Sequence, residues 1–350
     1  MIIIKILHVL KSNKFSGAEN VVCQIIHLFE DNSEYEFLYT SPLGPIKETL
    51  KEKNIQYEGM KKISVMDLKK IIKDYKPDII HAHDMTATVV SSIFASKNTK
   101  VISHIHGTFK TLSDKNLKSF VFYQAARRCE KIIFVSQETY DAFIFKEKLK
   151  SKCILLKNII DPNEINQKVE SDDFEYINDL IFLGRLSPVK NPERFLEIVE
   201  MIKHEIPNVK TAIVGDGELK EKLQEEIQNK GLEKNIKMYG FMKNPYKLLQ
   251  KSKILVMTSI SEGLPMACLE AMALGKPIVS TPVDGLKEIV SNKENGYLSN
   301  SNDELADFII EILKNEQLLN SLSKKAKEKF YNLNDLDVYR KTLDSIYGEK

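Results

Sequence analysis

Tryptophan is absent from this 350-residue chain, and cysteine occurs only four times, at Cys23, Cys129, Cys153 and Cys268. The missing tryptophan reads as composition and excludes no function. The cysteines form no CxxC pair and no metal-binding spacing, so neither a disulfide framework nor a zinc module is expected. They read as buried thiols of a reducing, cytoplasmic compartment. No apolar run approaches the roughly 18 residues that mark a membrane span. The start, Met1-Ile-Ile-Ile-Lys5-Ile-Leu-His8-Val-Leu10, is apolar, but Lys5 and His8 interrupt it and no small-residue cleavage site follows. It reads as a first buried strand, not a signal peptide. A strong charge of one sign is missing too. The formal net charge is +2, so nothing global attracts nucleic acid. The turn after the first strand lacks G-x-G-x-x-G, which argues against a dinucleotide dehydrogenase.

What is present is an ordinary globular composition, 43% hydrophobic and 29% charged, on a chain too long for one typical domain. Short apolar runs at 2–9, 37–40, 78–82, 101–105, 131–135 and 153–156 alternate with helical stretches at 18–29, 67–74, 85–95, 117–127 and 138–145. Continuous apolar strands separated by helices imply a parallel sheet covered on both faces. Residues 161–178 turn polar without clear periodicity and read as an interdomain link. A second α/β series follows, with strands at 179–184, 210–215, 236–239, 254–258 and 277–280 and helices at 192–202, 219–228 and within 303–330. The last segment, 336–347, has helical spacing. The fold class is therefore α/β, with domains at 1–165 and 166–334 and a C-terminal helix at 335–350.

The densest motif is Glu262-Gly263-Leu264-Pro265-Met-Ala-Cys-Leu-Glu270-Ala-Met-Ala-Leu-Gly275-Lys-Pro277. Ser261 is expected to cap a helix with Pro265 in its first turn. Free N–H groups at that start would bind an anion such as phosphate. Glu262 lies in the loop before the helix and Glu270 inside it, so two carboxylates flank an anion seat. That suits a nucleotide-sugar. Gly184-Arg185 and Lys190-Asn191 follow a strand, and the two cations project past the sheet's carboxyl edge, where open α/β sheets bind ligands. Gly184 is expected to allow a tight turn. Gly17, between the first strand and helix, lets backbone approach a ligand. Gly215-Asp216-Gly217 makes a strand-to-helix turn. Alternation puts His104 and His106 on one side of their strand. His81 and His83 resemble a metal pair, but no further ligand cluster accompanies them in the sequence, so no metal is expected. Residues 110–131 combine Lys110, Lys115, Lys118, Arg127, Arg128 and Lys131 with Phe120, Phe122 and Tyr123. Such a helix can lie on an anionic membrane.

These segments resemble the family 4 retaining glycosyltransferases (group 1), and the resemblance spans essentially the whole chain. It implies two Rossmann-like domains with parallel sheets facing across a cleft (GT-B type), the first binding acceptor and the second donor. It implies that Glu262 contacts the donor sugar, Glu270 the ribose, and Arg185 and Lys190 the diphosphate. Gly184, Gly215, Gly217, Gly263, Leu264 and Pro265 would shape the nucleotide site, and Phe241 would lie near the base. His106, in a His-Gly pair, would sit by the reacting sugar, and Gly17 belongs to a Gly-Gly-Ala-Glu-like turn in which Ser16 replaces a glycine. Asn191 stands where the family has glycine. The implied reaction is metal-independent transfer from a nucleotide-sugar, a UDP-sugar first, to a hydroxyl on a lipid-linked glycan. The implied setting is surface polysaccharide assembly (capsule, exopolysaccharide or O-antigen) at the inner face of the cell membrane. A sugar-nucleotide epimerase, a transferase to a small acid or protein, and a non-catalytic nucleotide-sugar-binding partner remain open.

Overall fold

The computed structural model describes residues 3–61, 65–107, 110–283 and 285–348. The chain divides into two compact units. One comprises Met1–Ile159 with Leu336–Lys350, the other Ile160–Asp335.

The first unit is built on a seven-stranded parallel sheet. Its strands are β1 (Ile4–Val9), β2 (Tyr35–Pro42), β3 (Tyr57–Met60), β4 (Ile79–His83), β5 (Lys100–Ile105), β6 (Lys131–Phe134) and β7 (Cys153–Leu155). Their order is β3-β2-β1-β4-β5-β6-β7. Every residue of β4 is buried, as a central strand covered on both faces requires. The order reverses between β1 and β4, which is where open α/β sheets form ligand crevices. The helix Leu336–Gly348 belongs to this unit. It buries Tyr339, Leu343, Ile346 and Tyr347.

The second unit holds β8 (Leu180–Leu183), β9 (Thr211–Val214), β10 (Ile236–Gly240), β11 (Ile254–Met257), β12 (Ile278–Ser280) and β13 (Gly296–Leu298). All pair in parallel, in the order β10-β9-β8-β11-β12-β13. Leu180, Phe182, Phe195, Val199 and Ile213 anchor a core between this sheet and the helix Pro192–Glu205. The switch point lies between β8 and β11.

Several expectations need correction. The short strands β3 and β13 and the helix Ile46–Glu52 were not foreseen. The stretch expected to be a structureless link contains the helix Pro162–Glu170. Asp161 caps it by accepting from Asn163 N at 2.8 Å, and Ile165 and Val169 are buried one turn apart. This helix belongs to the second unit, whose limits are 160 and 335. Cys23, Cys129 and Cys268 are buried, but Cys153 is partly exposed. Residues 1–2, Thr108 and Asp284 lie outside the described residues. Among the described residues no helix is long and apolar enough to cross a membrane.

Candidate active site

In the second unit, the carboxyl ends of β8, β9, β10 and β11 feed four loops that are laced together by backbone hydrogen bonds. Leu186 N donates to Asp216 O at 3.0 Å, Gly215 N to Gly240 O at 2.8 Å, and Ile260 N to Val189 O at 2.8 Å. The close approach is made by Gly215 rather than Gly184. A Cβ on Gly215, whose φ is +147°, would stand 1.8 Å from Gly184 O, and one on Gly217 would stand 2.2 Å from Leu186 O. A Cβ on Gly184 itself would meet only the Lys190 and Phe182 side chains, at 3.9 Å or more, so no close contact demands glycine there. Asn191 has φ 49° and ψ 55°. This is the left-handed region that glycine and asparagine tolerate, so asparagine can replace the family's glycine here without reshaping the loop.

This lacing brings the expected residues of the unit to one edge. Lys190 Nζ pairs with Glu262 Oε1. Ser259 Oγ donates to the same oxygen at 2.5 Å. Thr258 Oγ1 donates to Asn191 O at 2.7 Å, which ties the end of β11 to the lysine loop. Arg185 is exposed, and its guanidinium has no hydrogen bond or ion pair among the described residues. Gly263, Leu264 and Pro265 are buried, and a Cβ on Gly285 would stand 1.8 Å from Gly263 O. The helix Met266–Ala273 has Pro265, not Ser261, at its N-cap. Pro265 has no side-chain acceptor for the first-turn N–H groups. Phe241, just past β10, is 56% exposed.

Glu270 sits inside that helix, buried. Tyr246 Oη donates to its Oε1 at 3.2 Å. Burial pushes the Glu270 carboxyl up to about 7, against the opposing pull of Tyr246 and of the Lys168 cation. Tyr246, Lys168 and Ser259 were not anticipated. Lys168 lies in the supposed link, with its Nζ 5.3 Å from the Tyr246 ring centre. Asn244-Pro245-Tyr246 carries no pattern that would single out the tyrosine.

In the first unit, Gly17 opens the helix Gly17–Leu28, and Ser16 Oγ donates to Glu19 Oε2 at 2.5 Å. His106 follows β5 and does not stand alone. The parallel register sets His8 of β1 beside His81 of β4, and His83 beside His104 of β5. His104 and His106 stack at 4.2 Å, on one side of the strand as expected. Five of the seven histidines thus share one face of the sheet. Their ring nitrogens fall into two sets, His8, His81, His83 and His83, His104, His106, each within 4.8 Å. The expectation that nothing accompanies His81 and His83 is corrected, because their companions come from neighbouring strands, far off in sequence. The rings in contact lie within 13° to 35° of parallel. Ligands of one ion instead aim their in-plane lone pairs at a common point. Burial holds His8 and His106 down to about 3, and His81, His83 and His104 well below the ordinary range, so all five rings are neutral at pH 7.

The model for glycosyl transferases group 1 matches residues 163–329, and that for glycosyltransferase family 4 matches residues 17–164. An uncharacterized glycosyltransferase of Methanocaldococcus jannaschii is 30% identical, over 74% of this chain and 72% of its own. The chain belongs to the family 4, group 1 glycosyltransferases. A second relative of the enzyme is the Escherichia coli UDP-Gal:alpha-D-GlcNAc-diphosphoundecaprenol alpha-1,3-galactosyltransferase. It is 28% identical over 94% of this chain and 92% of its own. Among solved structures, Anabaena HepE in complex with UDP and glucose superposes with a TM-score of 0.85 at 22% identity, covering 99% of this chain and 100% of that one. At that identity the likeness shows a shared GT-B fold for the glycosyltransferase.

Proposed function

We propose that this glycosyltransferase moves a sugar from a UDP-sugar to a hydroxyl of a lipid-linked glycan, with retention at the anomeric carbon and without a metal ion. The observation that carries the proposal is the laced edge of the second sheet. There Arg185, Lys190 paired with Glu262, the uncapped start of the helix Met266–Ala273 and buried Glu270 converge. In this reading Arg185, Lys190 and the helix start meet the charge that develops on the leaving diphosphate. Glu262 holds the donor sugar, Glu270 the ribose, and Phe241 lies beside the base. His106, in the acceptor-binding first unit, hydrogen-bonds the reacting sugar or the attacking hydroxyl. The leaving phosphate oxygen takes the acceptor's proton.

The E. coli relative's printed substrates, UDP-Gal and a diphosphoundecaprenol-linked sugar, support a UDP-sugar donor and a lipid-linked acceptor. The helix Leu117–Ala126 supports work at an anionic membrane face on the cytoplasmic side. Leu117, Phe120 and Val121 are 77%, 49% and 41% exposed, at the i, i+3, i+4 spacing of one helix face. Lys118, Arg127 and Arg128 are exposed around them. Phe122 is buried in the core, so of the expected aromatics only Phe120 is strongly exposed.

The test is a calorimetric screen against UDP-, GDP- and ADP-sugars, followed by turnover of the one that binds. Arg185→Ala is expected to abolish saturable binding or cut turnover by about 10²-fold or more while the protein stays folded. Wild-type turnover in that variant would overturn the assignment of the diphosphate site.

A further inference from the structure

Glu270 is the one charged residue of the helix Met266–Ala273, and every residue of that helix except Ala267 is buried. A carboxylate set among apolar neighbours persists only where another group satisfies it. Tyr246 Oη does so at Oε1, donating at 3.2 Å. Glu270 and Tyr246 each keep only 8% of their surface exposed.

Three helices of the second unit converge on this contact. Tyr246 opens the helix Tyr246–Lys251, where it is buried with Leu248 and Leu249. The start of that helix is tied to the helix Pro162–Glu170. Asn244 Nδ2 donates to Lys168 O at 2.7 Å, and Tyr246 N donates to Asn244 Oδ1 at 3.3 Å. Lys168 Nζ pairs with Glu164 Oε1 at 2.7 Å and lies 5.3 Å from the centre of the Tyr246 ring, within cation–π reach. The ring is thus held by a cation over its face while its hydroxyl meets the carboxylate. A glutamate left free would have to be ordered when a ligand arrives, at a cost in affinity, and one fixed beforehand is spared that cost.

The contact also has a sign. Burial pushes the Tyr246 hydroxyl well above its ordinary range, so at neutral pH it keeps its proton and donates. A donor favours the ionised form of the carboxyl it meets. The Lys168 cation pulls the same way, and the Glu164 carboxylate opposes both. Cys268, on the same helix as Glu270, is a buried thiol that stays protonated. At 3.2 Å the bond is longer than the usual O–H···O distance of about 2.7–2.8 Å. A carboxyl that ionises on binding would draw the hydroxyl closer, since charge-assisted bonds are shorter.

We infer that Tyr246 is a positioning residue of the donor site, fixing one oxygen of Glu270 so that the carboxylate is oriented before the ribose of the nucleotide arrives. Tyr246 acts through Glu270 rather than on the nucleotide. That Glu270 meets the ribose rests on the proposed function; that Tyr246 governs Glu270 does not, and the two are tested apart.

The first measurement is a carbon-13 titration of the full-length protein, labelled at its glutamate carboxyls, from pH 5 to 9. Glu270→Gln assigns the Glu270 signal. The wild-type signal is expected to titrate near pH 7. Tyr246→Phe removes one oxygen and leaves the ring in place, and it should move the midpoint up by roughly half to one pH unit. The second measurement is UDP calorimetry over the same range. Tyr246→Phe should weaken UDP binding about three- to tenfold at pH 7, and the loss should shrink toward pH 9 as Glu270 ionises. In the Glu270→Gln background the same Tyr246→Phe change should alter UDP affinity by less than about twofold, whereas a packing defect would cost the same in both backgrounds. An unmoved Glu270 midpoint in Tyr246→Phe, or an equal loss of UDP affinity in the two backgrounds, would overturn the inference. A protein whose Glu270 midpoint shifts in Tyr246→Phe but which binds no UDP would overturn the ribose role, and the donor site with it, while leaving Tyr246 as the residue that sets Glu270.

Discussion

Glu270 and the clustered histidines are both buried titratable groups, and burial moves them in opposite directions. Glu270 is raised to about 7. A raised carboxyl leaves stability intact below its ordinary range, and stability is lost as pH climbs toward 7. The loss by then is on the order of 3 kcal/mol for a shift of this size. Ribose hydroxyls donating to Glu270 would favour its ionised form, so donor binding should tighten between pH 6 and 8 and release protons near pH 7. Calorimetry with the active UDP-sugar, in two buffers of different ionisation heat, reads both effects, and Glu270→Gln should flatten them. A pH-independent affinity in the wild type would remove Glu270 from the ribose site. The histidines carry the reverse sign. Their folded pKa values lie far below 6.5, so their neutral burial is tolerated above 6.5, and stability is lost as pH falls from there toward about 3. Each ring forfeits ~1.4 kcal/mol per pH unit. Five such rings act together against a domain stability of about 5–15 kcal/mol. The urea midpoint of the first unit should therefore drop steeply between pH 6.5 and 5. An unchanged midpoint would mean that the rings can charge inside the fold.

The helix Leu117–Ala126 turns three large apolar side chains outward beside exposed cations. Burying a leucine- or phenylalanine-sized side chain contributes ~1.5–3 kcal/mol, so Leu117→Ser with Phe120→Ser should weaken binding to anionic vesicles by at least tenfold. Flotation with phosphatidylserine vesicles measures this, and equal flotation of variant and wild type would sink the membrane role. The same helix shows what was legible in the sequence. Its position could be read from the pattern, but which aromatic faces outward depended on packing, and Phe122 went to the core. The central strands were legible because both faces are buried and they read as continuous apolar runs. β3 (Tyr-Glu-Gly-Met) and β13 (Gly-Tyr-Leu) were missed because short edge strands carry little pattern. The helix Pro162–Glu170 was missed because only two of its nine residues are buried apolar ones, although Asp161 followed by Pro162 is a start signal. At the site, loop motifs located Arg185, Lys190, Glu262 and Glu270 as candidates. Tyr246 and the histidine companions come from other elements, and only the sheet register brings them in.

At the scale of the molecule, the two units are unequal in how they are cut from the chain. The second is one continuous stretch, Ile160–Asp335, while the first is closed by a segment more than 170 residues downstream. That segment is fastened by more than apolar burial. Arg340 donates to both Asp31 oxygens at 2.6 and 3.2 Å, Tyr35 Oη donates to Asp344 at 2.5 Å, and Tyr347 reaches His81 at 2.9 Å. Tyr339, Leu343, Ile346 and Tyr347 are each 2% exposed or less. Losing four such side chains forfeits roughly 6–12 kcal/mol of burial, comparable to the whole stability of a domain. It would also expose the aromatic cluster of Phe29, Tyr35 and Phe37. Deleting 336–350 is therefore expected to unfold the first unit and leave the second folded, while residues 160–335 expressed alone should unfold cooperatively in urea. That fragment keeps Arg185, Lys190, Glu262 and Glu270, so it should still bind the nucleotide portion of the donor. Circular dichroism and UDP calorimetry on the two truncations check the argument. A fragment 160–335 that folds but shows no UDP binding would place essential nucleotide contacts outside the second unit, and a stable first unit without 336–350 would show that this helix is not what closes it.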